Sequence, residues 1–414
     1  MHVPAATVNA EVGEAKPQSL RYVVLLAATT AISGFLFGFD TAVINGVLLL
    51  LRRQFALSNL QTEIGASSLL VGCLLGAAGA SIIGDRYGRR RSLIASALLF
   101  ALSSIGAALS STVAIFSAAR LLGGLAIGLA SVLTPVYIAE IAPSRNRGAL
   151  VSLNQLAIVV GILSAYLVNW QIARLGESSW RWMLAAAAVP SIAFLFGLFL
   201  IPESPRWLVS IGRRDQGERV LARIVGEQSA TRQVEAVEQA AAGEEASWHE
   251  LFSPNMRKRL AVGMLLALFS QITGINAVLY YGSIIVSENF PGQSTSMALI
   301  ANVIIGTVNF LFTIVAMVFL DRWGRRTILI IASGGMATAL TFLVVGLNVD
   351  GISPVLMLAS ILLYVAFFAL GMGPGPWLIT PRFSHQRCEV APPRSRRQLS
   401  GRAHFWSRLH FSVW

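Results

Sequence analysis

Ten stretches of mostly apolar residues, each long enough to cross a lipid bilayer, dominate this chain. They lie near 21–51, 62–84, 92–111, 113–139, 149–170, 181–201, 259–287, 296–320, 327–347 and 354–379. A hydrocarbon core about 30 Å thick requires a helix of about 20 predominantly apolar residues. Composition agrees: only 13% of residues are charged, against about 25% in an ordinary soluble domain. The pattern predicts an all-α polytopic membrane protein. Its two cysteines, Cys73 and Cys388, cannot supply a disulfide framework. The first stretch is too long, and begins too late behind a polar leader, for a cleaved signal peptide.

A net charge of +12 can signal nucleic-acid binding, but here topology places the charge. Arginines gather in DRYGRRR (85–91), PSRNRG (143–148), the 202–259 region and DRWGRR (321–326). These follow stretches two, four, six and eight, so they share one side of the membrane. The positive-inside rule assigns that side, and the N-terminus, to the cytoplasm. Arg52 and Arg53, read as an outer loop, are the exception. No nucleic-acid partner is expected.

Residues 202–258 interrupt the membrane pattern with charged segments that carry apolar residues at helical spacing, predicting short surface helices. The chain thus divides into a leader (1–20), a six-helix bundle (21–201), a linker with short helices (202–258), a four-helix incomplete bundle (259–379) and a basic tail (380–414). Asp85-Arg86-Tyr87-Gly88-Arg89-Arg90 follows stretch two, and Asp321-Arg322-Trp323-Gly324-Arg325-Arg326 follows stretch eight, the second of its half. Topology alone would explain the arginines of either loop. It does not explain the same order twice. A repeat with matched loops marks a transporter built from two bundles with substrate between them. Gly88 and Gly324 serve the turn, and Asp–Arg pairs across the bundle would latch one side in one conformation.

These loops, with PESPRWL (202–208), Glu140 and Arg147-Gly148 in AEIAPSRNRG, GFDTAVING (38–46) and QITGINAVLYY (271–281), resemble the sugar porters of the major facilitator superfamily. The resemblance spans about residue 20 to 379 and implies a twelve-helix fold, of which ten helices are recognisable, transporting monosaccharides or related polyols by alternating access.

Asp40 lies deep in the first stretch, where an ionisable group costs at least about 2.5–3.5 kcal/mol and marks a functional site by default. Arg120, in the fourth stretch, is the available partner. A carboxylate beside an arginine stays ionised, and protonation loosens the pair. The resemblance matches Asp40 to proton-coupled members and so favours symport. Sugar hydroxyls both donate and accept, as amides do. Gln155, Gln271, Asn276 and Asn309 are amides in apolar sequence; each alone is as readily interhelical glue, and the resemblance assigns them to sugar contact. It also assigns Trp377, Phe37 and Phe368 to the pocket; Tyr280 and Tyr281 serve either the outer gate or plain packing. Ser270 stands where the family has a second glutamine, which leaves the choice of sugar open. Neither a metal cluster nor a catalytic constellation is visible, so no cofactor and no enzyme activity are expected.

Beyond Ile379 the family pattern stops. Thr380–Trp414 contains seven arginines and one acid, with no stretch able to cross a bilayer. A lipid-binding basic tail is one reading. Another is a frameshift: permitted codons for TPRFSHQRCEVAP, read two bases later, spell SEIFPPTLRGRA, the motif the family carries at this point. The sequence therefore keeps four readings open: a sugar–proton symporter, a proton-independent facilitator, a non-transporting sugar sensor and a non-functional product of a damaged gene. The expected setting is the plasma (inner) membrane.

Overall fold

The computed structural model describes residues 20–143, 146–242, 254–289, 295–348 and 354–373. Among these, nine helices are long and apolar enough to cross a membrane, and a shorter apolar helix spans Leu356–Met372. The ten apolar stretches therefore all appear as helix, the solution that satisfies each backbone group within its own segment.

The first half contains α1 (Leu20–Gln54), α2 (Asn59–Tyr87), α3 (Arg89–Ala108), α4 (Val113–Ile141) and α5 (Arg147–Ile172), then α6 (Ser179–Ala186) and α7 (Ala188–Leu200). Their ends are set locally. Ser58 and Gln61 form a capping box at the start of α2, and the Thr112 hydroxyl caps α4. The break between α6 and α7 divides the sixth stretch. Pro190, in the first turn of α7, has no N–H for the carbonyl of Ala186, whereas a first turn needs none.

Two close seams organise this half. Along α2 and α4, Gly72, Gly76, Gly124 and Gly128 let backbones touch: a Cβ at Gly72 or Gly124 would stand 2.9 Å from a backbone nitrogen of the facing helix, at Leu125 or Cys73. Along α1 and α5, a Cβ at Gly38 would stand 2.7 Å from the carbonyl carbon of Ile158, and one at Gly161 2.9 Å from the nitrogen of Phe39. Between membrane helices, where no hydrophobic difference from lipid drives association, such small residues permit the close packing that does.

Three short helices follow: α8 (Pro205–Ser210), α9 (Arg214–Val225) and α10 (Glu227–Ala242). As the spacing predicted, they are amphipathic, and Val209, Leu221, Ala230, Val234 and Val237 form their own small core.

The second half contains α11 (Pro254–Ile272), α12 (Ile275–Asn289), α13 (Thr295–Trp323), α14 (Arg325–Asn348) and α15 (Pro354–Phe367), which runs into a π-turn at Phe368–Met372. The seventh stretch was expected to be continuous. It breaks at Thr273–Gly274, where Gly274 takes φ +87°, a left-handed conformation that L side chains resist. Tyr364 of α15 donates its hydroxyl proton to the freed Thr273 carbonyl at 2.7 Å. Arg52 and Arg53, expected in a loop, occupy the last turn of α1, where cations meet the negative end of the helix dipole.

The halves meet where α1 packs on α12 and α5 packs on α13. A Cβ at Gly306 of α13 would touch Tyr166 at 2.8 Å and Leu163 at 3.4 Å.

Candidate functional site

Among the described residues, three polar constellations bear on the site. The first is the predicted pair. Arg120 Nη1 of α4 donates to Asp40 Oδ1 of α1 at 2.6 Å, with the side chains 2% and 8% exposed. The pair holds by a single contact: Asp40 Oδ2 and Arg120 Nε and Nη2 find no protein partner. Breaking a buried pair by removing one partner costs about 3–5 kcal/mol, because the other charge is stranded. Tyr280 of α12 and Cys73 of α2 lie within electrostatic reach of both charges, so the pair faces the second half as well as its own.

The positions assigned to sugar contact lie on α5, α13 and the two sides of the α11–α12 break, with Gln271 exposed. Gln155 lies eleven residues before Tyr166 on α5, three helical turns along the same face. On α13, Asn302, Gly306 and Asn309 follow at i, i+4 and i+7, one stripe turned toward α5. Asn309 is buried and Gln155 half-buried. Gln271 and Asn276 bracket the break between α11 and α12, and Asn276 Nδ2 donates to Gln271 Oε1 across it at 3.0 Å. An interrupted membrane helix with amides at its ends is a typical setting for a substrate site. Ser270 is buried and turns its hydroxyl to its own helix, donating to the Ala267 carbonyl. Phe37 and Phe368 are half-buried against the common core, and Phe368 opens the π-turn. Trp377 lies outside the described residues.

The second constellation gathers at the 85–90 loop. Arg89 Nη2 meets Glu140 Oε1 of α4 at 3.2 Å and its Nη1 meets Asp85 Oδ1 at 3.1 Å, with Arg89 and Glu140 side chains each 7% exposed. Arg90 donates Nε to the Leu198 carbonyl and Nη2 to that of Phe199. Arg86 lies over the Tyr87 ring at 5.5 Å. The loop is tied down by residues that the sequence reading left without a role. Glu203 Oε1 accepts from the Arg90 and Ser204 N–H groups; Ser204 donates to Glu140 Oε2; Trp207 Nε1 donates to the Asp85 carbonyl at 2.8 Å. These belong to PESPRWL, a segment that the sequence marked only as part of the resemblance.

Among the described side chains, Asp85 meets Arg89 four residues on, and Glu140 joins Arg89 between α3 and α4. Arg147 opens α5, but its side chain lies outside the described residues, as do those of Asp321, Arg322 and Arg325. Gly324 repeats the left-handed turn of Gly88, at φ +80° against +94°, and Arg326 is exposed.

The third constellation was not foreseen. Asn45 of α1 and Asn302 of α13 exchange amide hydrogen bonds between the halves, and Tyr166 OH donates to the Leu279 carbonyl of α12 at 3.2 Å. Asn169 of α5 donates to the Val43 carbonyl at 3.1 Å. Buried amides in membrane helices were the available signal, but nothing in the sequence pairs residues so far apart. Tyr280 is buried and Tyr281 half-buried beside this belt. Among the described residues, no cluster of three or more His, Cys, Asp or Glu could hold a metal ion.

Comparison with known proteins decides the family, because a family model described as sugar (and other) transporter matches residues 26–391. The chain belongs to the sugar transporter family. This sugar transporter is 36% identical over 385 residues to the arabinose-proton symporter of Bacillus subtilis, covering 91% of this chain and 82% of the relative. It is 36% identical over 390 residues to the D-xylose-proton symporter of Escherichia coli strain K12, covering 86% and 79%. Its fold matches the partially occluded, inward-open xylose transporter XylE of E. coli with a TM-score of 0.77 at 34% identity, covering 95% of this chain and 92% of that one. XylE bound to 6-bromo-6-deoxy-D-glucose matches with the same score and identity, covering 95% and 86%. The all-α, multi-pass major facilitator fold expected from the sequence is therefore the fold of this transporter.

Proposed function

We propose that the chain imports a monosaccharide or related polyol together with a proton, by alternating access between its two halves. The observation that carries the reading is the Asp40–Arg120 pair, buried and held through one hydrogen bond. With Asp40 ionised, the pair ties α1 to α4. A proton on Asp40 removes the carboxylate charge, and Arg120 then lacks its counter-ion in a site that tolerates no lone charge. Relief comes through movement, and α1 carries it because the same helix reaches the second half at Asn45. The relatives named for arabinose–proton and xylose–proton symport support this reading.

In this scheme Gln155, Gln271, Asn276 and Asn309 bind the sugar's hydroxyls, Phe37, Phe368 and Trp377 give it apolar walls, and Tyr280 and Tyr281 close over it. The loops of the two halves, with Glu140 and Arg147, act as the conformational switch. The division into a leader, a six-helix bundle, a linker and a second bundle belongs to the same proposal, as do a cytoplasmic N-terminus and a setting in the plasma membrane.

The test is Asp40→Asn in proteoliposomes under an imposed pH gradient. Sugar accumulation should vanish, while downhill equilibration of the same sugar persists. A variant that still concentrates sugar would sink proton coupling through Asp40 and favour a proton-independent facilitator.

A further inference from the structure

At the end of the bundle remote from the arginine loops, two buried amides face each other from opposite halves. Asn45 is 0% and Asn302 1% exposed. Asn45 Nδ2 donates to Asn302 Oδ1 at 3.3 Å, and Asn302 Nδ2 returns a bond to Asn45 Oδ1 at 3.2 Å. Each amide also holds a main-chain acceptor: Asn45 reaches the Leu279 carbonyl at 2.9 Å, and Asn302 reaches that of Ala298 at 2.9 Å. The Leu279 carbonyl therefore receives Asn45 from α1 and Tyr166 from α5, so both first-half helices at the interface are bonded to one turn of α12. Gly282 leaves the necessary room, since a Cβ there would crowd the Asn302 amide oxygen and stand 3.1 Å from Asn45 Nδ2. Asn169 fixes α1 from behind by donating to the Val43 carbonyl, two residues from Asn45.

We propose that the reciprocal Asn45–Asn302 amide pair is the latch that holds the halves together at this end and sets how often they part. An amide facing an amide is self-complementary, since each contributes one donor and one acceptor. The fit exists only while the halves touch. Replacing one amide by an apolar side chain takes from the other its reciprocal bonds across the halves, whereas an apolar pair of similar shape is close to neutral. Lying five residues from Asp40 on α1, about 7.5 Å along the helix axis, Asn45 also links the proton site to the closure.

The proposal rests on the reading of the chain as a two-bodied transporter, and its test needs neither sugar nor a proton gradient. Spin labels at Leu60→Cys on α2 and Met297→Cys on α13, both exposed positions, go into a Cys73→Ser, Cys388→Ser background. Electron–electron distance measurements on the full chain in nanodiscs then read the populations. The parent should show mostly the short distance. Asn302→Leu and Asn45→Leu should each raise the long-distance population about tenfold, which is the effect of losing a buried hydrogen-bond partner. The double Leu variant should return most of the way to the parent, and Asn302→Thr, which keeps one polar arm and guards against misfolding in the Leu variants, should lie between. Unchanged distributions in the single variants would overturn the proposal, as would a double variant shifted by the sum of the singles. Failed sugar uptake with an intact distance response would count against the transport reading and leave the latch standing.

Discussion

At residues 85–90 and 321–326 the chain makes one turn from nearly one sequence, in two different surroundings. Both turns pivot on a glycine in the left-handed region, and Tyr87 and Trp323 at the matched position are each 52% exposed. A Cβ at Gly88 would meet the Glu203 carboxylate at 2.5 Å and the Trp207 ring at 3.2 Å; at Gly324 it would meet nothing within 4 Å among the described residues. Arg90 holds two carbonyls at the end of α7, while its counterpart Arg326 is exposed. The repeated residues thus set a turn, and residues outside the repeat make it a lock. Glu203, Ser204 and Trp207 have that second task.

The largest contrast should come from Glu140→Ala. It removes the buried carboxylate that holds Arg89 and Ser204, leaving Arg89 with Asp85 and the Gly84 carbonyl. Two bonds to a charged group at about 1.5–3 kcal/mol each are lost, and the melting temperature of the purified protein should fall sharply. Next comes Arg90→Ala against Arg326→Ala. The first leaves two carbonyls short of a donor, at about 1–3 kcal/mol, and the second should stay within about 0.5 kcal/mol of the parent. Equal losses in denaturant titrations would break the comparison. The finest contrast is Gly88→Ala against Gly324→Ala. Both impose a left-handed backbone on an L residue, at about 1–2 kcal/mol, but only Gly88→Ala must also displace Glu203, so its loss should exceed the other by about one hydrogen bond, roughly 1 kcal/mol.

What the sequence disclosed depended on whether a signal was local. Apolar run length is local, so every stretch was visible. Asp40 was visible because a charge at that depth demands a partner, and few candidates for that partner exist. The break at Gly274 was hidden because a glycine inside a membrane stretch reads the same whether it serves a close seam or a left-handed turn; the Gln271–Asn276 bond and the Tyr364 contact reveal it. Asn45 and Asn302 were hidden because their pairing spans 257 residues and is fixed only when the halves dock. The same distance hid the lock, where Glu203 bonds to Arg90 from 113 residues away.

The glycine seams of the first half carry a consequence for anyone who would retune this protein toward another sugar. A conventional core tolerates exchange, because volume lost at one position can be regained at a neighbour. At Gly72, Gly124, Gly38 and Gly161 the facing surface is backbone, so no compensating change is available nearby. A mutant library that leaves those columns untouched and spends its diversity on the proposed sugar contacts Gln155, Gln271, Asn276 and Asn309 would keep most of its members folded.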